Sequence, residues 1–504
     1  MMNSNDAPTE IPKFVDVYGF SNTATVDGID LLQPRFSADL ALNDVSSLNF
    51  SMGRYMGRNP MVWVSNSYNY GANPLFNEWT DYSCRGLAVQ GALEPCVAAT
   101  FDNFDASEIM GDMDFLAPDL QAPYDDRYSI VYKTLLDMSR IGLGDNWDFT
   151  ASFIRIDKRK EFVTRKISGV GAPDGFYPGT PSERYPDGKV VHQDSGYYGG
   201  IYPNNYVFGL YTQGAGSRSE NITLEFAKYF ENDVDLYFAY NGNEATELSP
   251  LTSSRAASNT PNNVWTGNQF NYPVSKRSIY ETEHKFVLSL IINRNHFANL
   301  NTSYGFSFTR KSGNPYSWTF DAGRSEPWDG YRNNSFGLEY DLNRRNSALL
   351  YIPTVNDPNV CYGSCENPDN AFKAQFLDVI AQLGLSDYAG SVVPAGTHTH
   401  NWVTTSTFQI RQELPGLYEG HSGELYFTMN NFLNFLNDEW GRVDYGMYNG
   451  IRPLVRFTTT DDLSKYIYTG FSDDSFDPDN PDGAWRTSGY QSVWRARIGF
   501  KYRF

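Results

Sequence analysis

The C-terminal residues alternate strictly between two kinds of side chain. The apolar positions are Trp494, Ala496, Ile498, Phe500, Tyr502 and Phe504, and the positions between them are Arg495, Arg497, Gly499, Lys501 and Arg503. Successive side chains of a β-strand point to opposite faces of the sheet, whereas a helix repeats every 3.6 residues. This period of two therefore predicts a strand with one apolar face and one cationic face.

The same alternation recurs at residues 36–42, 147–153, 222–226, 286–292, 304–308 and 425–429. Small and polar residues occupy the second face of these segments, where a packed core would need Val, Ile and Leu. Short turns at 43–47, 143–146, 231–233 and 415–422 contrast with long, structure-poor links at 57–128, 166–217, 245–279, 311–400 and 470–489. Alternating short and long links are typical of a barrel with tight periplasmic turns and long extracellular loops. We expect about 12–14 strands and one amphipathic helix, at residues 371–383.

Composition agrees with a protein that crosses a membrane with strands. The sequence holds no run of eighteen apolar residues, which excludes transmembrane helices. Aromatic residues make up 16% of the chain, and the mean hydropathy of -0.49 is what alternating lipid-facing and lumen-facing residues give on average. The formal net charge of -19 argues against a nucleic-acid partner. We therefore predict an all-β fold, an antiparallel transmembrane β-barrel with long extracellular loops in the outer membrane of a Gram-negative bacterium.

The apolar C-terminal positions predict a membrane-insertion signal made by Ile498, Phe500, Tyr502 and Phe504. Outer-membrane lipid and the barrel assembly machinery are the partners that such a signal requires. The cationic positions of the same strand, among them Arg495 and Arg497, have two interpretations. They either hydrate the lumen and assist assembly, or they line a path for anions.

Four cysteines form two pairs that are close in sequence, Cys84 with Cys96 and Cys361 with Cys365. Both pairs lie in segments rich in Gly, Pro, Asn and Asp, where a disulfide would close a short loop and stabilise it by roughly 2–3 kcal/mol. We expect two such disulfides in an exported protein. Free thiols and a zinc site are the alternatives, although the spacing is not that of a C-x2-C knuckle.

Five segments carry a family resemblance. They are DGIDLLQPRF at 27–36, HKFVLSL at 284–290, SGNPYSWTF at 312–320, SALLYIPT at 347–354 and ELYFTMNNFLNFLNDEWGRV at 424–443. Together with the terminal RIGFKYRF, their order and spacing resemble the barrel of Oar-like TonB-dependent outer-membrane receptors. The resemblance implies a barrel of about 22 strands around a plug, of which this chain matches the C-terminal part.

The resemblance also implies how the chain is organised. We expect residues 1–33 to be a lead-in from a truncated barrel and residues 34–504 to be the receptor-like barrel portion. No plug or TonB-box segment is recognisable, and the first ten residues, MMNSNDAPTE, lack the pattern of a signal peptide. We therefore expect the chain to be a fragment or a truncated product with two unpaired sheet edges.

Few residue groups in the sequence match a catalytic or metal-binding pattern, and none matches it closely. His398 and His400 share one face of a short strand and could hold a metal ion, and the acidic residues of 473–483 resemble a calcium loop without its D-x-D-x-D-G order. The segment at 420–423 lacks the G-x-S-x-G spacing of a hydrolase. Loop aromatics could stack on sugars or close over peptides, or they could form an interfacial girdle or pack within the loops: Tyr197, Tyr198, Tyr202, Tyr206, Trp318, Trp328 and Tyr331. We predict no catalytic, cofactor-binding or metal-binding residue, and hence no enzyme.

These observations favour a receptor or transporter barrel that binds an unidentified solute at its extracellular loops. By the resemblance, the full-length protein would import that solute when the TonB complex acts on a plug that this chain lacks. A passive outer-membrane channel or an adhesin barrel is the first alternative. A secreted all-β carbohydrate-binding protein or enzyme is the second.

Overall fold

The computed structural model describes the chain in several blocks. They are residues 7–8, 10–26, 29–57, 61–69, 113–167, 184–189, 207–254, 259, 263–267, 271–297, 299–321, 348–446, 450–472, 476–481, 483 and 486–504. Cys84, Cys96 and six of the seven loop aromatics named above, Trp318 excepted, lie outside these blocks. So do Asp473, Asp474 and Asp482 of the acidic segment.

One large antiparallel sheet dominates the fold and confirms the predicted all-β class. Eleven strands follow one another in an unbroken path, in the order β1-β2-β4-β5-β6-β7-β9-β10-β16-β17-β22. The short strands β3 (Met113–Leu116) and β8 (Lys276–Arg277) pair with β6 and β7, respectively. The path strands are β1 (Arg35–Asn43), β2 (Ser46–Met56), β4 (Tyr124–Leu136), β5 (Trp147–Lys166), β6 (Val207–Phe230), β7 (Val234–Glu247), β9 (His284–Phe297), β10 (Leu300–Lys311), β16 (Val403–Pro415), β17 (Ser422–Asn430) and β22 (Arg495–Arg503). Within the described part of the chain, β1 and β22 are the two edges of this path.

The remaining elements are short. The other strands are β3 (Met113–Leu116), β8 (Lys276–Arg277), β11 (Pro315–Asp321), β12 (Tyr351–Ile352), β13 (Val360–Tyr362), β14 (Ser391–Val392), β15 (His398–Thr399), β18 (Asp444–Tyr445), β19 (Ile451–Thr459), β20 (Tyr466–Phe471) and β21 (Arg486–Thr487). The helices are α1 (Pro12–Tyr18), α2 (Met61–Asn69), α3 (Asn370–Gln382) and α4 (Phe432–Leu436), with 3-10 turns at Ser139–Ile141 and Ser386–Tyr388. None of the described helices is long and apolar enough to span a membrane.

The strand register sorts side chains onto two faces of the large sheet. Directly paired residues of neighbouring strands share a face, and one face carries unbroken apolar rows. Such rows are Phe50, Ile130, Phe153 and Ile222, then Phe238, Leu288 and Phe308, and finally Ile410, Phe427 and Ile498. We call this the apolar face, and its residues are exposed to a degree that is unusual for a soluble sheet: Ile130 by 45%, Ile222 by 49% and Ile498 by 74%.

The two ends of the large sheet differ in how the strands are joined. At one end, which we call the short-turn end, tight hairpins place Asn146, Asp233 and Asn299 at positive φ values of 54–58°, a region that Asn and Asp tolerate better than most residues. At the other end, the long-loop end, the connections run to dozens of residues. The chain terminus at Phe504 lies at the short-turn end, because β22 pairs Arg503 with Ser422 at the start of β17.

The link at 311–400 was predicted to be structure-poor, and this prediction is wrong. Together with residues 451–471 it builds a second sheet, the loop sheet, in the order β13-β20-β19-β11-β15. Its core includes the fully buried Trp318, Phe376, Tyr466 and Tyr468. Its strands β11 and β19 are buried on both faces over most of their length, so they lack the period of two that made the long strands visible in the sequence. The links at 57–128 and 166–217 are also shorter than expected, because β4 begins at Tyr124 and β6 at Val207.

Helix α3 was predicted at residues 371–383 and is found at Asn370–Gln382. The carboxylate of Asp369 caps its start by accepting hydrogen bonds from the backbone N–H groups of Ala371 (3.1 Å) and Phe372 (2.9 Å). The helix buries Phe376, Val379 and Ile380 against the loop sheet. Just before it, Cys361 and Cys365 form a disulfide.

Candidate functional site

The face opposite the apolar face, here called the polar face, carries ladders of hydrogen-bonded side chains. The hydroxyls of Ser51 and Ser129 share a hydrogen bond of 2.7 Å across β2 and β4. Asn241 on β7 donates to the side-chain oxygen of Asn221 on β6 at 2.6 Å. On the same face, towards the β22 edge of the sheet, Gln409 donates to the hydroxyl of Thr428 at 2.9 Å. These short polar groups still have donors and acceptors that can bind water.

Three residues of the predicted insertion signal, Ile498, Phe500 and Tyr502, lie on the apolar face of β22, and Phe504 directly follows the strand. Phe500 is 61% exposed and Phe504 is 96% exposed. Tyr502 instead contacts the hairpin between β16 and β17, where its hydroxyl accepts a hydrogen bond from the backbone N–H of Leu417 (2.9 Å) and lies 2.9 Å from His421 Nδ1. The role of these residues in insertion stays a prediction. The segment at 420–423 lies in this same hairpin, not in a strand-turn-helix junction.

A cavity of about 700 Å³ lies between the polar face and the loops at the long-loop end. A volume of this size accommodates a drug-sized ligand. The wall of the large sheet contributes Lys311, Thr405, Thr407, Asn430 and Arg495, and the loops contribute Tyr280, Asn314, His400, Asp444 and Tyr445 among others.

One close backbone approach and one side-chain hydrogen bond shape the cavity. A Cβ atom on Gly313 would lie 2.1 Å from the carbonyl oxygen of His400, so only glycine lets the end of β10 pass that segment. Asn431 follows β17 in the left-handed conformation, with φ 54°. Its side-chain amide donates to the carbonyl oxygen of Gly441 at 2.9 Å, which ties the chain after α4 back to the end of β17.

Charge is unevenly distributed around the cavity. Asp444 has both carboxylate oxygens engaged, one by Asn401 Nδ2 at 2.8 Å and one by the Thr487 hydroxyl at 2.7 Å. Lys311 and Arg495 form no ion pair with any described carboxylate. The guanidinium of Arg495 lies over the ring of Tyr490, 3.8 Å from its centroid. The cavity therefore contains one carboxylate, Asp444, whose two oxygens both accept hydrogen bonds from the protein. Its two cations, Lys311 and Arg495, have no counter-charge among the residues that the structure describes.

His400 is uncharged at neutral pH. Burial, together with the nearby positive charge of Arg452, lowers the pKa of its imidazole to about 4, although the carboxylate of Asp444 acts in the opposite direction. His398 and His400 both lie against the ring of Tyr316, and His398 Nδ1 accepts a hydrogen bond of 2.6 Å from Trp318 Nε1. No cluster of three or more potential metal ligands occurs in the described blocks. The two histidines are thus part of the aromatic packing around Tyr316.

Trp318 is fully buried in the loop sheet, so the sugar-stacking interpretation is wrong for this residue. Arg452 on β19 is also buried, with its guanidinium 4.9 Å from the Trp318 ring centroid. This guanidinium donates to the carbonyl oxygens of Gly483 at 2.8 Å and Pro481 at 3.4 Å. These carbonyls belong to the acidic segment 473–483. Among the described residues, the guanidinium of Arg452 is therefore a cation that binds backbone oxygens of this segment.

Sequence reasoning did not single out Lys311, Asp444 or Arg452. Lys311 and Arg495 are far apart in the chain, and their relation depends on the pairing of β10, β16, β17 and β22. One sequence feature did point to the region of the cavity. Gly313 precedes Asn314 and Pro315 at the end of an alternating segment, a pattern that indicates a turn with a close backbone approach.

Comparisons with known proteins gave matches among solved structures only. No family model matches the chain, and no curated protein matches it. The outer membrane transporter YddB from Escherichia coli is similar over 89% of this chain and 39% of its own length, with 10% identity and a TM-score of 0.40. A variant of the ferric enterobactin receptor PfeA from Pseudomonas aeruginosa is similar over 87% of this chain and 46% of its own length, with 10% identity and a TM-score of 0.30. The chain thus spans less than half the length of these two structures.

Proposed function

We propose that the chain is the barrel portion of an outer-membrane receptor or transporter. In this proposal the apolar face contacts lipid, the polar face lines a water-filled lumen, and a solute binds at the long-loop end. The observation that carries the proposal is the pairing of continuous, exposed apolar rows on one face with hydrogen-bonded polar ladders on the other, across eleven consecutive strands. A soluble sheet would bury its apolar face.

The lengths of the strands support the same orientation. A membrane crossing needs about 9–11 residues of strand, and β9, for example, supplies 14. The strands β5 and β6 have 20 and 24 residues and extend well past that requirement at the long-loop end. We place this end outside the cell, where the loop sheet and the cavity would meet the solute first.

For the full-length protein we propose TonB-energised uptake, as in the Oar-like receptors whose motifs this sequence resembles. A plug that is not recognisable in this chain would then couple to TonB, and the barrel assembly machinery would insert the strands. The function we assign is binding and permeation, without covalent chemistry and without a cofactor. Among the described residues β1 and β22 are the edges of the strand path, which supports the interpretation of the chain as part of a larger barrel.

Fractionation and gel mobility test this proposal. The native protein should be recovered with outer membranes, and it should migrate faster on a detergent gel before boiling than after boiling. A protein that stays monomeric in detergent-free buffer, with identical mobility before and after boiling, would refute the barrel. For the coupling step, the full-length protein should be captured by the periplasmic part of TonB, whereas a passive channel or adhesin barrel would not be.

A further inference from the structure

We propose that the cavity at the long-loop end binds an anionic solute through Lys311 and Arg495, with Lys285 adding positive charge at its margin. The inference rests on the proposed transport function, whose solute it assigns to a chemical class. The ligand is an elongated molecule with acidic groups, carboxylate or phosphate, at two separated positions. The argument depends on charge balance, on strand register and on the shape of the cavity.

The charge balance of the cavity is opposite to that of the chain. The whole chain carries a formal net charge of -19, so an arbitrary surface recess is expected to be acidic. Here the one carboxylate, Asp444, already accepts two hydrogen bonds from protein side chains. Lys311 and Arg495 lack a carboxylate within ion-pair distance in the described blocks, which leaves the recess with a net positive charge.

Strand register strengthens this argument. Lys285 on β9 is paired directly with Lys311 on β10, and both belong to the polar face. Like charges directly opposite each other in a sheet are unfavourable, and neither lysine has an ion pair within the part of the chain that the structure describes. A bound anion would relieve this repulsion, because it would supply the counter-charge that the protein does not.

The positions of the two cations define the shape of the ligand. Lys311 is paired with Val403 on β16, whereas Arg495 is connected through Asn430 to Thr407, four residues further along β16. The strand rise and three strand spacings place the Cα atoms of Lys311 and Arg495 about 19 Å apart. Since both side chains are long and flexible, they can reach toward two ends of one extended ligand.

The groups between the two cations suit such a ligand. Thr405 and Thr407 line the cavity from the sheet wall. The hydroxyl of Thr407 donates to Asn430 Oδ1 at 3.5 Å, and the hydroxyl of Thr405 is a donor for an oxygen acceptor. His400 is neutral there, as described above, and so adds no competing charge. Ile279 and Tyr280 also line the cavity and supply an apolar surface against which a hydrocarbon linker would pack.

Three probes with the same eight-carbon backbone test the proposal. They are suberate, the corresponding bisphosphate ester and the uncharged diol. Binding to the folded 504-residue chain in detergent micelles would be measured by calorimetry at low ionic strength. We expect one or both dianions to bind and the diol not to bind, with the dianion affinity falling as salt is added. The tighter of the two dianions identifies the acidic group.

Variants locate the binding. Lys311→Gln and Arg495→Gln should each weaken dianion binding about tenfold or more, since each removes a charge-assisted contact. Arg411→Gln is the matched control, because Arg411 lies on the same polar face but closer to the short-turn end, by about 26 Å along the strand relative to Lys311 and about 13 Å relative to Arg495, and should leave binding unchanged. Each variant is first shown to be folded by its heat-dependent gel mobility.

The inference is overturned if the diol binds as tightly as the dianions, if both cavity variants bind normally, or if the control loses as much affinity as they do. Absence of dianion binding by a chain that shows heat-dependent mobility overturns the inference alone. Absence of that mobility in the unmodified chain overturns the proposed function, and this inference with it.

Discussion

A charged residue on the apolar face should be far more costly than the same residue on the polar face, and neighbouring positions on β9 allow a matched test. On this strand the lipid-facing residues are Phe286, Leu288, Leu290 and Ile292, and Leu288 pairs with Phe238 and Phe308. A rise of 3.4 Å per residue and a tilt of about 40° give about 2.6 Å per residue along the membrane normal. Leu288 then lies about 3 Å from the centre of the lipid-facing segment.

At that depth, Leu288→Arg should lower the free energy of unfolding by roughly 2–4 kcal/mol, the cost of a lipid-facing Arg or Lys at the bilayer midplane. Ser289→Arg is the control: Ser289 belongs to the polar face and pairs with Ser307, so its guanidinium would remain in water. Urea titration of the chain folded into liposomes, monitored by tryptophan fluorescence, measures both values. Equal costs at the two positions, or a greater cost at Ser289, would contradict the assignment of the faces.

Three further predictions concern the C-terminus, the disulfide and one histidine. Phe504→Asp should sharply reduce outer-membrane insertion of the expressed protein, and Arg503→Asn should reduce it less, as quantified by fractionation; equal losses would count against the signal. Replacing Cys361 and Cys365 together with Ser should cost about 2 kcal/mol of local stability, visible as faster hydrogen exchange in α3 but not in β9. Because the pKa of His400 is lowered from 6.5 to about 4, the folded state takes up its proton later than the unfolded state as the pH falls. Stability should therefore be complete above pH 6.5 and decline towards pH 4, with a smaller decline in His400→Gln as measured by thermal unfolding.

The long strands were predictable because each of them has one face in an apolar environment and one face in a polar environment, so its residues alternate between apolar and polar. Residues 286–292 and 304–308 alternate in sequence, and they form the centres of β9 and β10. The short turn at 231–233 was readable for a similar reason: Asn232 and Asp233 favour tight turns, and Asp233 adopts a positive φ there. Helix α3 was also visible, because its apolar residues recur at helical spacing on the side that packs against the loop sheet.

The loop sheet was not predictable, because burial on both sides removes the alternation that marks a strand. In β11, six consecutive residues from Pro315 to Phe320 are buried, and such a run looks the same as an apolar stretch of loop. The pairing of β11 with β19 is parallel and joins residues more than a hundred positions apart. Nothing local in either segment specifies that partner.

The sequence alone determined the period of two, and with it the separation of an apolar face from a polar one, because side-chain direction along a strand follows directly from residue order. It also determined where the tight turns lie. The candidate site was decided only by the tertiary structure. Lys285 and Lys311 are paired by the register of β9 and β10, and Arg495 joins them through two further strands. The net charge of a cavity depends on which charged residues line it, and these residues are distant in sequence. Strand pairing and the paths of the loops bring them together, whereas their spacing along the chain does not reveal it.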